Sequence, residues 1–150
     1  MEITINISRS AVMEEVAQTT SYTGAKMEDK EALNRVAVVD EDEKELARFW
    51  DESRAELSQS FIRLLSSEGM KDDGDTYELR LNVSVSFDNA LLPSMALGLF
   101  SYFVQNITGK WYVYCNKPEA SAYTTGAKGQ LNEVKEKAFF KKKPTRPTYS

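Results

Sequence analysis

Acidic side chains are the most numerous chemistry-bearing residues of this 150-residue chain, which has 23 aspartates and glutamates, no histidine and one cysteine. The absence of histidine excludes Ser-His-Asp and Cys-His catalysis and the usual histidine-based zinc and iron sites. The single cysteine, Cys115, has no histidine to activate it and no second cysteine with which to form a disulfide. We therefore expect a buried or neutral thiol at this position.

Three segments have the composition of a catalytic or ligand-binding motif without its spacing. The run at residues 40–43, DEDE, offers paired carboxylates for acid–base chemistry, but it also suits the positive N-terminal end of a helix. KDDGDTYE, residues 71–78, lacks the spacing of a calcium loop, and TTGAKG, residues 124–129, lacks that of a phosphate loop. The sequence thus predicts a helix start, an acidic turn, no metal or cofactor, and no enzymatic activity.

Aromatic and basic residues toward the C-terminus are better candidates for binding another protein. Trp and Tyr are favoured at interfaces because they bury a large area while a polar tip stays in contact with water. Phe100 and Phe103 are expected in the core. Either the core or an interface is possible for Trp111, Tyr112 and Tyr114, and an interface is favoured. The predicted partner-binding residues are Trp111, Tyr112, Tyr114, Phe139, Phe140, Lys141, Lys142, Lys143 and Arg146.

The charge of the chain is divided unevenly. Residues 1–127 hold 12 basic and 21 acidic side chains, whereas residues 128–150 hold 7 and 2, so the net charges are −9 and +5. The basic end, FFKKKPTRPTYS, has two prolines that favour an extended arm. Three roles are open to it: a solvated terminus, a nucleic-acid arm that contacts phosphates, or an arm that docks on an acidic protein surface. Sequence-specific nucleic-acid binding is not expected, since no recognition motif accompanies the arm.

Two segments alternate apolar and polar residues with the period of a strand. In residues 3–7 the odd positions are isoleucine, and in residues 77–87 all six odd positions are apolar. Such alternation predicts strands with one buried and one solvated face. Because each needs a partner, we expect these two segments to pair with each other in an antiparallel arrangement.

Helical periodicity predicts three long amphipathic helices. The first begins at Asp40 and runs to Ser66, the second follows Asp88 or Asn89 and is apolar on most faces, and the third follows Pro118. Shorter helices are expected at Ser10–Gln18 and near Lys30–Arg35, with TTSYTG, residues 19–24, as a loop. The sequence thus predicts a mostly helical α+β fold, with one globular domain at residues 1–140 and a basic extended tail at residues 141–150.

The N-terminal MEITINIS has neither the basic nor the apolar part of a signal peptide, and the lone cysteine suits a reducing compartment. The apolar run at residues 90–114 is interrupted by proline, glycine and polar residues. We therefore expect it to be a buried core helix rather than a membrane span.

A family resemblance adds a more specific expectation. A long helix is followed by Leu92-Pro93, a mostly apolar helix from Met95 to Ile107, the pair Trp111-Tyr112 and a basic, proline-bearing end. This order resembles the small head–tail connector, or neck, proteins of tailed bacteriophages and prophages, over roughly residues 42–147. The strand at 77–87 and the segment at 3–7 are not core parts of the simplest members of that family.

The resemblance implies a structural role in the virion neck. It implies a homo-oligomeric ring that joins portal to tail through terminal arms, assembled in the cytoplasm of a bacterial host. The alternative from another class is a small non-catalytic regulatory or protein-binding module.

Overall fold

The computed structural model of the protein describes residues 1–27 and 31–141. The fold is α+β, as predicted, with five α-helices and a three-stranded antiparallel sheet in the described residues. Two short 3₁₀ turns, Asp40–Asp42 and Asn89–Leu91, precede long helices. The elements in chain order are β1 (Glu2–Ser8), α1 (Arg9–Lys26), α2 (Ala32–Val36), α3 (Glu43–Ser60), β2 (Leu65–Met70), β3 (Thr76–Asn82), α4 (Leu92–Cys115) and α5 (Lys117–Phe139).

The pairing predicted between the two alternating segments is confirmed. β3 lies between β1 and β2, and Ile3 pairs with Leu81 while Ile7 pairs with Tyr77. The predicted end of β3 at residue 87 is wrong, because the strand ends at Asn82 where β1 runs out of residues to pair with. The chain turns instead, and Val85 is 86% exposed although its position in the alternation predicts burial.

The strand β2 replaces the last part of a predicted helix. The first long helix was expected to reach Ser66, but α3 ends at Ser60, and β2 begins at Leu65 on the free edge of β3. A bulge interrupts its register between Leu65 and Ser67. The polar turn that follows is tight: Gly74 has a φ of +70°, a backbone conformation that favours glycine.

The helix α1 is longer than predicted, since it continues through the segment expected to be a loop. Thr20 is buried there, donates a hydrogen bond to the carbonyl of Ala17 and accepts one from the backbone N–H of Val38. Gly24 lies so close to α2 that a Cβ would be 2.8 Å from the Cα of Leu33. Packing against the segment that contains α2 therefore stabilises the helical conformation of residues whose helix propensity is low. The predicted helix near Lys30–Arg35 is α2; Lys30 itself lies outside the described residues.

Helices α4 and α5 form an antiparallel pair whose close approach depends on glycine. A Cβ on Gly98 would be 2.6 Å from Cγ2 of Val134, and one on Gly109 would be 2.7 Å from Cγ2 of Thr124. Small residues at these points let the two backbones pack at short range. The helix α4 runs through Gly109 to Cys115 without a break.

Aromatic rings join the sheet to the helices in the centre of the core. Trp50 stacks on Phe103 at 4.4 Å between ring centroids, and Tyr77 meets the same ring edge-on at 5.5 Å. The apolar stripes of the predicted helices place six residues in one core. Five of these six are buried in one cluster, and the sixth, Leu92, is half-buried and packs against it. The five buried residues are Phe49, Trp50, Phe61, Leu99 and Phe103.

In the part of the chain that is described, one helical segment, Asn89–Cys115, is long and apolar enough to cross a membrane, with a mean hydropathy of 1.3. Its most apolar stretch is 39% buried inside the protein. Met95, Leu99, Phe103 and Ile107 belong to the main core, in contact with elements on either side. One face of this helix therefore packs in the core, whereas Leu97 and Val113 on its other faces are exposed.

Candidate functional site

Two of the aromatic residues predicted to bind a partner have structural contacts within the subunit. Tyr112 is fully buried in a small second cluster with Val36 and Ala120, and its burial raises the pKa of the phenol to about 12. Trp111 is half-buried, and its indole Nε1 donates a 2.7 Å hydrogen bond to the carbonyl of Val36. Tyr112 therefore offers no surface to a partner, and the prediction is wrong for this residue because α2 and α5 cover that face of α4.

Tyr114, by contrast, lies on the surface and is 64% exposed. Its ring stacks on Phe49 at 6.0 Å, and its hydroxyl accepts a 2.7 Å hydrogen bond from Nη2 of Arg48. The same nitrogen lies 2.7 Å from a carboxylate oxygen of Glu45. The bond to Tyr114 and the charge of Glu45 raise the pKa of Arg48, and this surface presents an ion pair beside an aromatic ring.

The end of α5 carries two adjacent exposed aromatic residues of the predicted binding set. Phe139 and Phe140 are 49% and 51% exposed, and Lys141 after them is exposed as well. Phe139 borders a cleft of about 120 Å³ with Ile62, which is itself 59% exposed. Phe140 borders a second cleft, of about 260 Å³, with Leu91. Lys142, Lys143 and Arg146 lie outside the described residues.

We call this surface the α5 patch and define it by Ile62, Leu91, Phe139 and Phe140. Its residues come from three parts of the chain: the segment after α3, the turn before α4 and the end of α5. The sequence identified only the two phenylalanines, because the positions of Ile62 and Leu91 depend on where α3 ends and where α4 begins. Charged side chains border the clefts on the α5 side, namely Glu133, Lys135, Glu136 and Lys137.

The structure places the exposed residues of the predicted binding set on two separate surfaces. Tyr114 is at the end of α4, and the α5 patch is at the far end of the antiparallel helix pair. The helix α5 has 23 residues, and at about 1.5 Å per residue it spans about 35 Å. The two surfaces are therefore distinct and cannot contact a small partner at the same point.

The acidic segments have structural roles in the described residues. Asp42 accepts a 2.9 Å hydrogen bond from the backbone N–H of Val39, at the turn before α3. Asp73 accepts hydrogen bonds within the turn between β2 and β3, and Asp75 accepts them from Ser8 and Ser10 at the start of α1. Residues 124–129 lie inside α5 rather than in a loop. In residues 1–27 and 31–141, no three acidic or cysteine side chains are grouped closely enough to hold a metal ion.

Cys115 is half-buried, at the last position of α4. Its Sγ donates a 3.5 Å hydrogen bond to the carbonyl of Trp111, and desolvation raises the pKa of the thiol. Both features favour the neutral form, as expected from the sequence.

One further cleft was not predicted from the sequence. Its volume is about 480 Å³, and it lies between α1 and the segment that leads into α3. Met13, Val38 and Leu46 supply apolar walls, and Arg9, Glu14 and Glu43 supply charged ones. These residues come from separate parts of the chain and share no motif, so no sequence signal marks the cleft.

The chain matches no known protein family, no curated protein and no solved structure. Its function is therefore argued from the surfaces described above.

Proposed function

We propose that the protein is a non-enzymatic structural protein that assembles through the α5 patch and the basic residues that follow it. The specific form that the sequence resemblance suggests is a connector ring in the neck of a tailed bacteriophage, placed between portal and tail. Such a protein would be made and assembled in the cytoplasm of the bacterial host.

The observation that carries this proposal is the pair of half-exposed phenylalanines at the end of α5. Large aromatic side chains beside surface clefts are among the residues that dominate the energy of protein interfaces. Ile62 extends the apolar surface, and Lys141 adds a charge of the sign opposite to the acidic body of the chain. A neighbouring subunit or an acidic neck protein would match both the apolar and the charged part of this surface.

The alternative of a small regulatory or protein-binding module uses the same surface but needs no ring. The Tyr114 surface favours it as a second candidate, because Arg48 and Tyr114 are of the residue types enriched at interface centres. The two functions differ in the stoichiometry that the purified chain reaches by itself.

A double substitution tests the proposal. The variant Phe139→Ser/Phe140→Ser should remove assembly of the purified full chain into species larger than a dimer, as measured by native mass spectrometry and electron microscopy. Tyr22→Ser is the matched control, since Tyr22 is 67% exposed on α1, away from the patch. A wild-type chain that forms no species larger than a dimer at any concentration would contradict the ring, and unchanged assembly of the double variant would contradict the role of the patch.

A further inference from the structure

The outer edge of β1 carries main-chain groups that face away from the sheet. The N–H of Val83 donates to the carbonyl of Met1 at 2.7 Å, and the N–H of Arg9 donates to the carbonyl of Asp75 at 2.8 Å. In an antiparallel ladder successive residues of a strand point their main-chain groups to opposite sides. The odd-numbered residues of β1 therefore bond to β3, and the even-numbered ones point outward: Glu2, Thr4, Asn6 and Ser8.

Nothing in the described part of the chain occupies this edge. The sheet order places β1 at one end, and no hydrogen bond in residues 1–27 and 31–141 reaches the outward main-chain groups of Thr4 and Asn6. An unpaired edge of seven residues is about 24 Å long at 3.4 Å per residue. It is a ready template for a further strand.

The two edges of the sheet differ in how they are protected. Natural proteins block edge strands with proline, lysine or a bulge. The edge strand β2 has such a bulge, between Leu65 and Ser67, and a glycine at position 69. The strand β1, EITINIS, contains no proline or basic residue, and its register with β3 is uninterrupted. Only the β1 edge is thus shaped to accept another strand.

We propose that β1 pairs antiparallel with β1 of a second copy of this chain, around a two-fold axis at Ile5. This pairing would join two sheets into one of six strands. Thr4 would lie opposite Asn6 of the partner subunit, and Glu2 would lie opposite Ser8 of the partner subunit. This inference does not rest on the proposed function, since it uses a different surface.

The sequence of β1 is self-complementary in this register. The outward-pointing even-numbered residues meet each other, so about six main-chain hydrogen bonds can form across the axis, since the carbonyl of Ser8, the N-cap of α1, already accepts the first bond of that helix. Ile3 lies opposite Ile7 of the partner subunit on the core face, and polar residues lie opposite polar residues on the solvated face. A register shifted by one residue would place the isoleucines of one subunit on the solvated face, and this exposure disfavours the shifted register. Glu2, the charged residue of the strand, meets no like charge.

The expected association is reversible and concentration-dependent. Ile3, Ile5 and Ile7 are only 3–4% exposed in the single subunit, so dimerisation buries little further apolar surface at their side chains. The free energy of dimerisation comes mainly from main-chain hydrogen bonds, each of which contributes modestly in water. A strand from another protein would make the same bonds without the self-matched side chains.

The substitution Thr4→Pro tests the pairing with little effect on the subunit. It removes an N–H that points outward, and proline is tolerated in an edge strand at such a position. In sedimentation of the full chain over a range of concentrations, we expect its dimer to dissociate at least about tenfold more readily than that of wild type. The matched control, Thr4→Val, keeps the N–H and should dimerise as wild type does.

Amide hydrogen exchange identifies the register. In the dimer the amides of Thr4 and Asn6 should exchange slowly, and dilution should make them fast while those of Ile3, Ile5 and Ile7 stay protected in wild type and in Thr4→Pro. A chain that stays monomeric at all concentrations would overturn the proposal, and so would a Thr4→Pro variant that dimerises like wild type. The β1 interface and the α5 patch can be tested separately. If species larger than a dimer persist in Thr4→Pro but vanish in Phe139→Ser/Phe140→Ser, they form through the α5 patch and not through β1.

Discussion

Asp75 holds the start of β3 to the start of α1, and Asp73 closes the turn before β3, both through charged hydrogen bonds. The carboxylate of Asp75 accepts from the N–H of Ser10 and the hydroxyl of Ser8, both at 2.8 Å. That of Asp73 accepts from the N–H groups of Asp75 and Thr76, at 2.9 and 2.8 Å. Because these bonds favour the ionised form, the pKa of Asp73 is lowered to about 2, and the pKa of Asp75 is also lowered.

The thermal stability of the protein should therefore fall in acid. A carboxyl whose pKa is lower in the folded than in the unfolded state stabilises the fold above its unfolded pKa, and the effect is lost as the pH falls through the folded pKa. For Asp73 that interval runs from about pH 4 to about pH 2. The melting temperature should drop over this interval, and Asp73→Asn should flatten the drop.

Circular dichroism melts at half-unit pH steps measure this effect. Asp72→Asn is the control, since its side chain is exposed in the same turn. A profile for Asp73→Asn that coincides with that of wild type would show that the turn does not depend on the charge of Asp73.

At the scale of the elements, the α4–α5 pair responds oppositely to alanine at two of its glycines. A Cβ on Gly109 would be 3.1 Å from the backbone nitrogen of Thr124 as well as 2.7 Å from its side chain, whereas one on Gly129 would meet no atom within 4 Å. Gly129→Ala should stabilise the protein by up to about 1 kcal/mol, because alanine is the better helix former. Gly109→Ala should destabilise it by about 1–3 kcal/mol, because the helices must move apart.

Urea unfolding of the two variants gives both free energies directly. Because the chemical change is the same in each, the comparison isolates the close approach of the helices. A stabilising Gly109→Ala would mean that Thr124 moves aside without cost, and that the helices do not need their short separation.

The sequence predicted well those elements whose own residues show a clear apolar–polar periodicity. Six unbroken alternations identified β3, and three isoleucines identified β1. The strand β2 escaped prediction because Ser66, Ser67 and Gly69 have little strand preference; it forms on the free edge of β3. Thr20 and Gly24 likewise suggested a loop, but their packing against the segment that contains α2 keeps them helical.

The candidate site was predicted in part for a related reason. Periodicity places Tyr112 and Tyr114 on a helix but does not say which neighbours cover each face. The structure buries Tyr112 beneath α2 and α5 and leaves Tyr114 exposed beside Arg48. The exposure of Ile62 depends on where α3 ends, which the sequence misplaced by about two turns.

At the scale of the whole molecule, every core residue in the described part of the chain precedes the basic tail. The last buried residue of α5 is Ala138, which is 2% exposed, whereas the three residues after it are exposed. Deletion of residues 141–150 should therefore change the free energy of unfolding by less than about 0.5 kcal/mol, as is usual for surface changes. Denaturant titration measures this value.

A longer truncation provides the contrast. Deletion of residues 131–150 also removes Leu131, Val134 and Ala138 from the core cluster, and it should prevent cooperative unfolding. If removal of the tail alone were as damaging, the domain would not end near residue 140 as the sequence predicts.

The position of β1 beside β3 has a consequence for synthesis in the cell. Ile5 pairs with Leu79, so the first strand emerges from the ribosome 74 residues ahead of its partner. At about 5–20 residues per second, translation leaves β1 unpaired for about 4–15 s. During that time both sides of a strand rich in isoleucine are available to other nascent chains. Slower translation would lengthen this exposure, and the yield of soluble protein should fall most in cells that are short of chaperones.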